Sequence, residues 1–114
     1  CVRCVYETVP APAQGALAVQ CRRKDEALSG VLQILDDAET RRCVYAERTL
    51  LARVEGGCDT AFGAYADADP STARLFHLTA LLDHEGELLT GKASGPDPLA
   101  LVDSVWKHLE KKLR

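Results

Sequence analysis

The sequence of 114 residues has no methionine, a single tryptophan and few aromatic side chains, which make up 5% of it. It also has no long apolar run, because its longest purely aliphatic stretches, such as 16–19, fall far short of the about 20 residues of a membrane-spanning helix. The start lacks the charged-then-apolar pattern of a secretory signal. These absences exclude a transmembrane protein and predict a cytoplasmic one. A first residue that is Cys1 rather than Met indicates a processed start or a piece of a longer protein.

A strong excess of one charge is also missing. The formal net charge is −3 and the charged residues are scattered along the chain, which argues against nucleic acid as a main partner. Hydrophobic residues at 46% are too many for a disordered chain. The length fits one domain, or one domain and a tail, that folds without disulfides or a metal.

The five cysteines, at positions 1, 4, 21, 43 and 58, are too few and too scattered for a secreted disulfide scaffold. Cys1 and Cys4 form a C-x-x-C pair, but no second pair follows that could complete a four-ligand zinc site. The histidines, at positions 77, 84 and 108, have no ligand-like spacing either. We therefore predict no metal site, and keep a thiol redox or metal function of Cys1 and Cys4 only as a third alternative.

The pattern of the first half predicts an extended arm followed by two helices. Residues 1–15 are rich in proline and glycine, residues 16–21 are typical of a short buried strand without a partner, and the charged run 22–26 indicates a boundary. Apolar residues spaced by three and four predict amphipathic helices over 26–36 and about 38–54. The pair Gly56–Gly57 predicts the end of the second helix.

The second half predicts strands and a final helix. Alternating patterns over 60–66, 74–82 and 88–93, with a turn at 83–86, predict an antiparallel sheet. Asp97 caps a helix that begins at Pro98. The fold class is therefore α+β: a three-stranded antiparallel sheet with helices packed on one face, in the order ααβββα, preceded by an extended N-terminal arm.

The loop around Cys58 is the most unusual local feature, because Gly56 and Gly57 leave its thiol free of side-chain bulk. Either Cys58 is displayed for chemistry, or the glycines only end a helix and the cysteine is a small apolar plug. A Cys–His nucleophile would need a base that nothing in the sequence places nearby. Four carboxylates could form an acid/base set, but we favour solvated loop charges for them: Glu55, Asp59, Asp67 and Asp69.

Two segments resemble the porphobilinogen deaminase family, also called hydroxymethylbilane synthases. Residues 10–19, PAPAQGALAV, resemble its PAxxQGALA segment. Residues 46–58, AERTLLARVEGGC, followed by Gly63 and Ala64, resemble its AER…LEGGC…PIG signature. The resemblance covers essentially the whole chain, but only about the last third of a full-length family enzyme.

The resemblance implies a transferase that condenses four porphobilinogen molecules into hydroxymethylbilane, with release of ammonia, in haem biosynthesis. It implies a dipyrromethane cofactor bound by a thioether to Cys58, with Gly56, Gly57, Gln14 and Gly15 as further cofactor-binding residues. The catalytic aspartate and the arginines for acetate and propionate groups belong to N-terminal domains outside this chain. We therefore expect no catalytic residue here, an inactive piece on its own, and contact with porphobilinogen and the growing pyrrole chain only through those domains.

The resemblance also implies a domain division. Residues 1–22 would be an arm that belongs with the absent catalytic domains, and residues 23–114 the C-terminal domain with the cofactor cysteine. Without its partner strands, the arm is expected to be disordered or to associate with another copy. The chain departs from the family pattern at Ala13, where many members have glycine, and at residues 59–62. The alternative is a non-catalytic α+β interaction module that keeps the fold and a free thiol at Cys58.

Overall fold

The structure, a computed structural model, describes residues 9–54, 61–72 and 74–113. Its described elements follow the predicted order of two helices, three strands and a helix. They are α1 (Glu26–Leu32), a 3-10 turn (Gln33–Leu35), α2 (Ala38–Leu51), β1 (Phe62–Ala68), β2 (Phe76–His84), β3 (Glu87–Gly95) and α3 (Pro98–Leu113).

The strands form an antiparallel sheet in the order β1-β2-β3, and helices α2 and α3 cover one face of it. The predicted inward face of β2 is confirmed, since Phe76, Leu78, Ala80 and Leu82 are all buried. Side chains of a strand alternate between the two faces, so one row of apolar residues per strand is enough to build the core. The α+β prediction is therefore confirmed.

Small residues at the centre of the sheet allow the helices to approach closely. Ala64 pairs with Ala80, and Ala80 with Gly91, so a row of small residues crosses all three strands. A Cβ on Gly91 would lie 2.9 Å from Val105 Cγ1 and 3.1 Å from the Val105 carbonyl oxygen. Helix α3 consequently packs its backbone against β3 at this point.

Aspartates begin all of the described α-helices. Asp25 accepts a hydrogen bond from the N–H of Leu28, and Asp37 from that of Thr40 at 2.7 Å. The predicted cap Asp97 accepts one from Leu99 N at 3.3 Å. Each carboxylate satisfies a main-chain donor that the first helical turn leaves free.

Helix α1 differs from the prediction in length and in packing. It ends at Leu32 and continues as the 3-10 turn instead of running to residue 36, and none of its residues is buried. Val31 is 61% exposed and Ile34 85% exposed. The amphipathic pattern was correctly recognised, but its apolar stripe has no partner among the described residues. No helix among the described residues is long and apolar enough to cross a membrane.

The predicted strand over 16–21 is wrong: these residues have no strand conformation, and Leu17 is 99% exposed. A strand needs a neighbour to bond its N–H and C=O groups, and no described strand lies beside this segment. The preceding residues, in contrast, do have a partner, since Val9 is buried and Pro10 O accepts a hydrogen bond from Ala64 N at 3.0 Å. This part of the arm therefore packs against β1, and association of the arm with another copy stays a prediction.

Candidate functional site

The predicted cofactor residues Gly56, Gly57 and Cys58 lie outside the described residues. The described chain fixes where their loop starts and ends. Val54 donates its N–H to Leu51 O at 3.0 Å just past α2, and Ala61 O accepts from Asp83 N at 2.9 Å just before β1. The loop that bears the predicted anchor therefore joins the carboxyl end of α2 to the beginning of β1.

The other predicted cofactor residues, Gln14 and Gly15, form a tight turn. Gln14 N donates to Ala11 O at 3.0 Å, and Gln14 Oε1 accepts from Ala11 N at 3.1 Å. Because its oxygen is used inside the turn, the carboxamide of Gln14 has its N–H donors left to offer outward. Ala13 has a φ of 64°, in the left-handed region where glycine is most at ease. That conformation gives a physical reason for the glycine at this position in many members of the family that the sequence resembles.

Glu47 holds this turn against the sheet. It is only 5% exposed, and its two carboxylate oxygens accept main-chain hydrogen bonds from Ala13 N at 2.7 Å and from Ala66 N at 2.8 Å. A buried carboxylate is costly unless such donors replace its water. For Glu47 and Arg48 of the AER segment we expect structural ion pairing on α2, towards the absent domains. Among the described residues both carboxylate oxygens of Glu47 accept main-chain N–H groups, and ion pairing towards the absent domains stays a prediction.

A groove of about 480 Å³ lies between the Gln14 turn, the first half of α2 and the end of β1. Its polar lining is mainly acidic: Glu39, Glu47 and Asp67, together with Gln14, Thr40 and Tyr65. A strand rises about 3.3 Å per residue, so the groove at Tyr65 lies about 13 Å along β1 from Ala61, where the cysteine loop ends. The groove therefore lies along β1, away from the end of the strand at which the described chain resumes.

Cys43 is buried at the base of this groove. Burial first, and then the negative charge of Glu47, raise the pKa of its thiol to about 11. A thiol with such a pKa is a poor nucleophile, because the reactive form is the thiolate. Among the described cysteines, Cys43 is therefore unsuited to carry a covalent group.

The carboxylates considered as an acid/base set do not come together as one. Glu55 and Asp59 lie outside the described residues, and Asp69 serves a turn. Its Oδ1 accepts from Ser71 N at 2.7 Å and Thr72 N at 2.9 Å. The bond from Ser71 contributes most to holding the pKa of Asp69 below its usual range. A bond to His77 and the bond from Thr72 lower this pKa further. Across the described residues, no group of three or more histidine, cysteine, aspartate or glutamate side chains could hold a metal ion.

Sequence reasoning missed two arrangements. His77 bonds Ser94 Oγ at 2.7 Å and Asp69 Oδ2 at 3.2 Å on the uncovered face of the sheet. The register that pairs His77 with Ser94 could be read only once the hairpin was known. The burial of Glu47 did have a signal, since it falls on the same helix face as Cys43 and Leu50.

Comparison with known proteins gives the same family that the two segments indicated. Residues 41–111 match the family model described as "Porphobilinogen deaminase, C-terminal domain". A porphobilinogen deaminase of Geobacillus kaustophilus is 43% identical over 93 residues, which is 82% of this chain and 30% of that protein.

Mycobacterial relatives match a shorter part more strongly. The porphobilinogen deaminase of Mycolicibacterium gilvum is 57% identical over 61 residues, or 54% of this chain and 20% of the relative. That of Mycobacterium leprae is 58% identical over 60 residues, or 53% of this chain and 19% of the relative. In these matches the chain spans between 19% and 30% of the relatives' lengths.

Proposed function

Because the chain belongs to the porphobilinogen deaminase C-terminal domain family, we propose that it is the cofactor-carrying part of a hydroxymethylbilane synthase. The whole protein is then a cytoplasmic transferase that joins four porphobilinogen units and releases ammonia in haem biosynthesis. This part anchors a dipyrromethane at Cys58 and, without the rest of the enzyme, is inactive.

The observation that carries the proposal is the contact between the two segments that resemble the family. Ala13, one residue before Gln14, donates its N–H to Glu47 of the AER segment at 2.7 Å. The two segments are 34 residues apart in sequence, yet they meet at the same edge of β1. This contact supports a shared function of the Gln14–Gly15 turn and the segment that contains Cys58.

The described residues fit such a cofactor only in part. The pyrrole units carry acetate and propionate groups, which hydrogen-bond donors and cations stabilise. The outward N–H groups of Gln14 suit them, whereas the carboxylates of Glu39 and Asp67 in the groove repel them. We therefore assign Gln14 and Gly15 to the cofactor, place no pyrrole in the groove, and leave the binding of the carboxylates to the rest of the enzyme.

Cys58 supplies the covalent attachment in this proposal. A soft thiolate would bond the aminomethyl carbon of a porphobilinogen unit as its C–N bond breaks and the amine leaves as ammonia. Water does not cleave the resulting thioether, so the bound pyrroles would serve as a fixed primer for chain growth. Cys43 cannot take this role, because it is buried and its pKa is raised to about 11.

The structure also favours moving the proposed domain boundary. We placed it between residues 22 and 23, but α1 has no buried residue, whereas α2 packs on the sheet. An unburied apolar stripe indicates a missing partner. We propose that residues 15–22 of the arm and helix α1 both belong with the catalytic domains. The C-terminal domain then begins just before α2.

Intact mass of the full-length protein tests the proposal. The wild type and Cys43→Ser should carry the mass of two pyrrole units, and Cys58→Ser should not. An acid aldehyde colour test for pyrroles should follow the same pattern. A wild-type protein without an adduct at Cys58 would reject the proposal. If that protein were also a stable dimer, the alternative of a non-catalytic interaction module, which the exposed face of α1 favours, would replace it.

A further inference from the structure

Glu47 occupies a position between two separate parts of the chain. One carboxylate oxygen receives the N–H of Ala66 at the outer edge of β1, and the other receives the N–H of Ala13 in the arm. Both bonds are short, at 2.8 and 2.7 Å, and the side chain is 5% exposed. Water therefore has little access to replace either bond if it is lost.

The turn that Glu47 binds contains a backbone conformation that is unfavourable for alanine. Ala13 has a φ of 64°, where its Cβ crowds the backbone, and Gly15 and the side chain of Gln14 are exposed. Within the turn, three neutral hydrogen bonds close the chain: Gln14 N–H to Ala11 O, Ala11 N–H to Gln14 Oε1, and Ala16 N–H to Ala13 O. A charge-assisted bond from outside is the additional interaction that keeps Ala13 in this conformation.

We infer that Glu47 is a positioning residue for the cofactor: through Ala13 it fixes the turn that presents Gln14 and Gly15 to the pyrroles. This inference rests on the proposed function and deepens it. Glu47 does not itself touch the cofactor. It couples the turn to the edge of the sheet, so the Gln14 donors keep a fixed place relative to the strand that follows the cysteine loop.

Glu47→Gln is the informative change, because the two N–H groups bind different oxygens of Glu47 and one of these becomes an NH2 group, which cannot accept. In this chain, the amides of Ala13 and Gln14, which are hydrogen-bonded in the turn, should exchange with solvent about tenfold faster than in the wild type, as expected for the loss of one charge-assisted bond. Amides of Leu78 and Ala80 in β2 report whether the core stays folded. Glu39→Gln, on the same helix and the same groove, is the matched control and should change neither set.

A second substitution separates positioning from simple stabilisation. Ala13→Gly removes the steric cost of the positive φ, so the turn can persist without Glu47. In the full-length protein, Glu47→Gln should lower the fraction of molecules with a two-pyrrole mass on Cys58, and the double variant should restore it. A merely structural Glu47 would not be rescued by a glycine in the arm, since glycine at position 13 restores no hydrogen bond to position 47.

If Glu47→Gln fails to fold, Ala13→Val is the second variant. It strains the same turn and leaves Glu47 and Ala66 in place, and it should give the same fast exchange at Gln14 and the same loss of adduct. Normal adduct and normal exchange in Glu47→Gln would overturn the inference, as would a double variant that is not rescued. A wild type with no adduct would instead reject the proposed function, so the two failures are distinguishable.

Discussion

The carbonyl oxygen of Val9 blocks any side chain at Gly63, because a Cβ atom built on Gly63 would lie only 2.5 Å from that oxygen. Real Cβ atoms do not approach an oxygen so closely, and the obstacle is main chain, which cannot rotate away. The arm crosses β1 at this point, with Pro10 O bonded to Ala64 N. Glycine at position 63 is thus required by the close approach of another backbone.

Gly63→Ala should therefore lift the arm from the sheet. We expect faster amide exchange at Ala64 and a loss of about 1–3 kcal/mol in the free energy of unfolding, as for other overpacked sites. Urea denaturation and hydrogen exchange measure the two effects. Gly30→Ala is the control, because no atom lies within 4 Å of its added Cβ in the exposed helix α1. That change should stabilise by about 0.5–1 kcal/mol. A Gly63→Ala protein with a protected Ala64 amide would contradict the packing described here.

Alkylation should distinguish the described cysteines. Burial, aided by Glu47, raises the pKa of Cys43 to about 11. At pH 8 only about one molecule in a thousand then has the Cys43 thiolate. We expect iodoacetamide to modify Cys21, which is half-buried, and to spare Cys43 until urea unfolds the protein. Peptide mass analysis reads both sites in one sample. Equal rates at Cys21 and Cys43 in the folded protein would show that Cys43 is accessible.

Acid should weaken the connection between β1 and β2 through Asp69. Its pKa lies below the ordinary value of 3.8, first because Ser71 N–H donates to it and then because His77 does. A depressed pKa in the folded state gives stability that is fully present above pH 3.8 and is lost as the pH falls through the folded value. Asp69→Asn should lower the urea midpoint at pH 7, and its difference from the wild type should shrink below about pH 4. A difference that is independent of pH would exclude this role.

The exposed apolar residues of α1 and of the 3-10 turn that follows it, which contains Ile34, should matter only in the longer protein. Ile34 is 85% exposed, so Ile34→Ser should change the stability of this chain by less than about 0.5 kcal/mol. In the full-length protein it should cost about 1–3 kcal/mol if the face is covered there. Leu50→Ala, a wholly buried position, should cost about 2–5 kcal/mol in both proteins and is the control. An Ile34→Ser change that is neutral in the full-length protein would argue against docking of α1.

Helices and strands could be predicted from the sequence where the spacing of their own apolar residues identifies the buried face. The alternation along β2 and the spacing of Cys43, Ala46 and Leu50 on α2 were enough to identify their buried faces. The cap at Asp97 was likewise local. Residues 16–21 show the limit of this reasoning, because an apolar run forms a strand only beside another strand, and that information is not in the run itself.

The candidate site was predictable only where it resembles the family. Gln14 and Gly15 came from the resemblance, and the structure adds the turn that they form. The bond between Glu47 and Ala13 joins residues 34 positions apart, and no periodicity reports such a pair. Charged side chains are usually exposed, but the position of Glu47 on the inner face of α2 was a signal of its burial.

The capped edge of β1 has a consequence for the behaviour of this chain in solution. An open strand edge recruits other strands and leads to aggregation. Here Pro10 and Glu47 occupy the outward N–H groups of Ala64 and Ala66. A further strand can add at this side only after the arm has been displaced. Proteolytic trimming of the arm back to Gln14 would therefore free the N–H of Ala64 and make this edge more open to other strands.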